Sequence, residues 1–139
     1  MGYQSNMRRR TINRQRSGIA VVEAAVTLPL IVLFVVALIQ FVNMIFLRQK
    51  VTSACYVGMQ QLAQVGATES NVHDTVDSIL TSRGVTNATI QILPTGILDT
   101  APMGTEFSIR VQAPFSGNLS GPMIFPTSGD VDVRQYVFR

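Results

Sequence analysis

Cysteine, histidine and tryptophan are nearly missing from this sequence: it has one Cys, one His and no Trp in 139 residues. A lone thiol, Cys55, excludes an intrachain disulfide. One His, His73, and no clustered Cys or His leave little material for a metal site. The spacings that carry catalysis are absent too. There is no Gly-Xaa-Ser-Xaa-Gly elbow, no phosphate-binding loop and no His-Glu-Xaa-Xaa-His. Asp74 with Asp77, and Asp130 with Asp132, are acid pairs, but neither has the run of oxygen ligands that a calcium loop needs. The expectation is a non-enzymatic chain without cofactor or metal.

Two further absences concern charge. Residues 1–18 hold five Arg (Arg8, Arg9, Arg10, Arg14 and Arg16) and no acid, and Ala24 to Leu47 holds no charged residue at all. The first 18 residues thus carry +5 and the remainder −2, for +3 in all. At ~1.5 Å per residue, the uncharged stretch crosses a ~30 Å hydrocarbon layer with some tilt. Basic residues flanking a span favour the cytoplasmic side. Five upstream charges outweigh Arg48 and Lys50, so the N-terminus is expected inside and the rest outside. A nucleic-acid role for the Arg-rich tail is a distant alternative, because basic residues directly before a span more often set orientation.

A secretory signal peptide fits poorly. Its apolar core runs ~7–15 residues, shorter than this one. Arg48 and Lys50 would also separate the core from any cut at Ser53-Ala54, or from a lipid-modified Cys55. An uncleaved anchor explains length and orientation but leaves Glu23 unexplained at the mouth of the apolar run. Acids within spans are functional candidates by default. Pro29, farther into the run, removes a backbone hydrogen bond to the Ala25 carbonyl, and the Thr27 hydroxyl is close enough to help. It reads as a tolerated kink, with loosening of the helix as the alternative.

The basic leader Arg8-Arg9-Arg10 with Gly18, then Val22-Glu23-Ala24-Ala25, Thr27-Leu28-Pro29-Leu30 and Arg48-Gln49, resembles the type IV pilin superfamily. Within it the resemblance is nearest to TadE-like minor pilins of tight-adherence (Flp-type) systems. It covers residues 8–50. Ile19 and Ala24 depart from the Ala run after Gly and the Phe after the acid that members often carry, and there is no Phe-Thr-Leu start of the type IVa branch. The resemblance implies cutting after Gly18 by a membrane-embedded prepilin peptidase, which makes Glu23 the fifth residue of the mature chain. It also implies other pilin subunits and inner-membrane assembly proteins as partners, with the lipid bilayer and without nucleic acid.

Beyond Lys50 a stripe of Val51, Cys55, Gly58 or Met59, Leu62 and Val65 predicts that the helix continues to about Val65 and stops at Gly66. A second helix is expected over 70–82, capped by Ser70 or Asn71, with Val72, Val76, Ile79 and Leu80 on one face and Gly84 after its end. The period then becomes two. Ile90 and Ile92 alternate with polar residues, as do Phe107, Ile109, Val111 and Ala113, and residues 131–138 read as a last strand. The loop between the last two strands carries Met123, Ile124 and Phe125, either a flap over the sheet edge or a contact surface. Asn87-Ala88-Thr89 and Asn118-Leu119-Ser120 match glycosylation acceptors, a short pattern that often occurs by accident.

The expected fold is α+β and pilin-like: a long N-terminal membrane-spanning helix packed by its outer half on a small antiparallel sheet, plus one short helix. The expected division is a cytoplasmic leader (1–18), a transmembrane helix (19–47) and an extracytoplasmic domain (48–139), of which 48–65 continue the helix. The expected function is that of a minor pilin or pseudopilin, with an uncleaved single-pass extracytoplasmic binding module as the alternative.

Overall fold

A computed structural model describes residues 4–98, 100–102, 104–121 and 128–138, with the backbone alone for 4–17. It falls into two compact units, Met1–Leu38 and Ile39–Arg139.

The first unit is helix. Helix α1 spans Gln4–Leu62, so it starts well upstream of Ile19, where the sequence placed its beginning. Arg, Gln and Met are good helix formers, and Gly18 alone is too weak a breaker, at about 1 kcal/mol, to separate a leader from the helix behind it. Pro29 sits inside α1 without ending it. The Thr27 hydroxyl donates to the Glu23 carbonyl at 2.7 Å, so it does not replace the hydrogen bond that Pro29 withholds from Ala25. From Gly18 to Val35 the apolar side chains are exposed, Ile19 68% and Phe34 62%. From Gly18 to Leu62 the helix is long and apolar enough to cross a membrane.

The second unit contains the outer part of α1, helix α2 (Glu69–Ser82) and strands β1 (Thr89–Leu93), β2 (Glu106–Pro114) and β3 (Asp130–Phe138). The strands form one antiparallel sheet in the order β1-β2-β3. Phe107 faces Val137, Val111 faces both Ile90 and Val133, and Ala113 faces Val131, which keeps the apolar set on one side. Val51, Ala54, Cys55 and Leu62 of α1 close over that side, with Val72, Val76 and Leu80 of α2 completing the core. Each Val or Leu among them contributes ~1.5–3 kcal/mol when fully buried, and burial is what this domain relies on in place of a disulfide.

The helix ends differ from expectation by a few residues. Helix α1 stops at Leu62 and a turn follows, so Val65 is fully exposed (102%) and does not belong to the buried stripe. Gly66 adopts a positive φ of 81° in that turn. The cap of α2 is Thr68, whose hydroxyl oxygen accepts from the Asn71 N–H at 3.3 Å, in place of Ser70 or Asn71. At the other end, Val85 N–H donates to the Leu80 carbonyl and Gly84 N–H to the Thr81 carbonyl, both at 2.9 Å. This paired closure needs a left-handed residue, which Gly84 supplies at φ 71°.

Candidate functional site

The first unit carries the residues singled out by the sequence. Gly18, Ile19, Val22, Glu23, Val26 and Thr27 line one shallow groove along α1. Glu23 is four residues beyond Ile19 and therefore one helical turn from it. It is exposed among apolar neighbours. Nothing lies within 4 Å of where a Cβ at Gly18 would project, and Gly18 is not among the glycines with positive φ. Neither packing nor backbone geometry therefore asks for glycine at this position.

In the second unit, the outer part of α1 is fastened to the sheet side by polar groups that the sequence reading passed over. Asn43 donates its side-chain N–H to the Ser120 carbonyl at 2.6 Å, and Gln40, one turn earlier, is buried. The available signal was two carboxamides three residues apart within an otherwise apolar run. Asn118 is a second fastening. Its Oδ1 accepts from Thr86 N–H at 2.7 Å, and its Nδ2 donates to the carbonyls of Thr86 (2.9 Å) and Pro114 (2.8 Å). The Asn118 amide is thus committed to backbone. Glu69 does the same for the loop after β1, accepting from Gly96 N–H at 3.0 Å.

Among the described residues, neither acid pair forms a metal site. Asp132 forms a forked pair with Arg110 across β2 and β3, with Nε–O distances of 3.0 and 3.1 Å. The Arg110 hydrogen bond holds the Asp132 carboxyl below its ordinary range. Asp130 shares a cavity of about 510 Å³ with Arg48, Asp132, Phe41, Met44 and Phe115. Asp74, Asp77 and His73 are exposed on α2. Among the described residues, no group of three His, Cys, Asp or Glu side chains could hold a metal ion. Cys55 is buried; its thiol donates to the Ile109 carbonyl at 3.4 Å, and burial pushes its pKa up to about 11. A thiol so placed behaves as a small core residue. The proposed contact residues Met123, Ile124 and Phe125 lie outside the described residues.

These features define an α+β chain with one long apolar N-terminal helix and a small antiparallel sheet held against the outer part of that helix. A family model described as TadE-like protein matches residues 18–67, about a third of the chain, and over those residues the chain is similar to that family. The match begins at Gly18 and runs past the end of α1 to Ala67. No curated protein and no solved structure matches the chain.

Proposed function

We infer that this chain is a minor pilin or pseudopilin of a tight-adherence-type pilus or related secretion system, made as a precursor in the bacterial inner membrane. Residues 1–18 are its cytoplasmic leader, 19–47 its span and 48–139 its extracytoplasmic domain. A prepilin peptidase cuts after Gly18 and supplies the chemistry. The observation that carries this reading is the placement of Glu23, exposed on an apolar groove one turn after Ile19. Cutting leaves an α-ammonium on Ile19, within i,i+4 reach of the Glu23 carboxylate or available to that of a neighbouring subunit. A charge in an apolar interior is costly alone and tolerable when paired, so the pair sets axial register between packed helices. The glycine at 18, with no packing or backbone reason, fits a residue kept for recognition by the peptidase. Other pilin subunits and inner-membrane assembly proteins are the partners.

A second reading has its own support. Helix α1 runs unbroken through Gly18, with no extended stretch at the scissile bond. An uncleaved single-pass anchor carrying an extracytoplasmic binding module agrees with that. Mass spectrometry of the protein purified from cells with and without the peptidase separates the two. Ile19 as the first residue in the former and an intact leader in the latter is the expected result; a leader retained in both overturns the pilin reading.

A further inference from the structure

The second unit has a pocket that the assembly reading leaves unused. It is a half-open pocket lined by α1 from Asn43 to Lys50, by Arg83 at the end of α2, and by Asn118 with Ser120 from the loop after β2. Its volume is about 290 Å³. That is at the small end of ligand sites, which run ~300–1,000 Å³.

The charge of this pocket is one-sided. Among the described residues, Lys50 and Arg83 are its ionisable lining residues, and no carboxylate lines it. The ion pair found among the described residues joins Arg110 to Asp132, leaving Lys50 and Arg83 unneutralised. The contrast with Arg48, two residues from Lys50, is direct, because Arg48 shares its cavity with Asp130 and Asp132.

The walls have separate roles. The Asn118 and Asn43 side chains are already bound to backbone carbonyls and act as fixed lining. The free donors are then the Lys50 ammonium, the Arg83 guanidinium and the Gln49 amide. A guanidinium fork beside an ammonium suits phosphate oxygens. Leu47 is sealed at 2% exposure while Phe46 stays 53% exposed, giving the pocket an apolar lip. Asn43, Phe46 and Leu47 belong to the last turns of 19–47 and Lys50 lies three positions past it, so when 19–47 spans a bilayer the pocket straddles the boundary between hydrocarbon and headgroups.

We propose that this pocket binds a phosphate group, presented by an anionic lipid headgroup or by a free phosphate ester. The lipid source rests on the spanning reading of 19–47; neither source depends on cutting after Gly18. The test uses the full chain in nanodiscs of phosphatidylcholine with and without phosphatidylglycerol, with retained lipid counted by mass spectrometry after detergent exchange. A parallel titration in detergent uses glycerol 3-phosphate. Phosphatidylglycerol is expected to be retained over phosphatidylcholine, and Lys50→Gln and Arg83→Gln each to weaken that preference about fivefold. Arg48→Gln is expected to leave it unchanged. Glycerol 3-phosphate binding with the same sensitivity, without lipid preference, assigns the site to free phosphate esters. Lipid preference without glycerol 3-phosphate binding assigns it to headgroups. Absence of both, insensitivity to Lys50→Gln and Arg83→Gln, or an equal loss in Arg48→Gln overturns the proposal. The leader's presence or absence is read from the same spectra, so failure here is separable from failure of the pilin reading.

Discussion

Cys55 shows how a single side chain can be chemically silent and still set a pH limit. Its thiol is sealed against β2, and its pKa is raised by burial to about 11. The folded state holds the proton more tightly than the unfolded chain does. The contribution to stability is therefore complete below the unfolded thiol's pKa, ~8.5, and drains away as pH rises toward the folded value. Unfolding free energies measured across that alkaline window should fall more steeply for the wild type than for Cys55→Ala, by up to about 1.4 kcal/mol per pH unit. Parallel slopes would mean that burial does not raise the folded thiol's pKa. The sequence placed Cys55 on the buried stripe, and there the structure agrees. Asn118 was harder to read. Its tripeptide matches a sugar-acceptor pattern, yet its amide bridges two backbone segments, Thr86 and Pro114. Nothing local to residues 118–120 encodes that, because one partner lies 32 residues away.

Among the elements, periodicity was the legible part. Alternation gave the inward faces of β1 and β2, and the helical stripe gave the face of α1 that meets the sheet. Boundaries were less legible. Thr68, Ser70 and Asn71 are all capable N-caps, and only the turn at 63–67 decides among them. The close approach of α1 and α2 was also invisible in sequence. A Cβ on Gly58 would collide with Val76 Cγ2 and press on Ile109 Cδ1 at 3.2 Å. Gly58→Val should therefore destabilise the folded chain by about 1–3 kcal/mol through overpacking, read as a lower unfolding midpoint in detergent. Gly18→Ala, facing open space, is the control and should not lower it. A Gly58→Val protein as stable as the wild type would mean that the two helices part easily.

For the whole molecule, the leading question is how an acid is accommodated beside a bare apolar helix surface. If Glu23 pairs with the amine left at Ile19, Glu23→Gln keeps the chain inserted but removes the charge that fixes register. Membrane fractionation should then show normal insertion, while co-purification with other pilus subunits drops at least several-fold. Unchanged co-purification would leave Glu23 as a headgroup-level side chain without an assembly role. The sequence showed this candidate site because a lone carboxylate in an apolar run stands out. It did not show the pocket at Lys50 and Arg83, whose two cations are 33 positions apart and meet only once α2 packs on α1.

The Asn43–Ser120 bond has a mechanical consequence. It ties the globular portion to α1 within the uncharged stretch, before the first flanking charge at Arg48. Traction applied to the sheet is therefore delivered to the helix at that depth, and the rod from Asn43 to Leu62 is hauled along as one piece with its cargo. There is no slack tether between handle and shaft to stretch first.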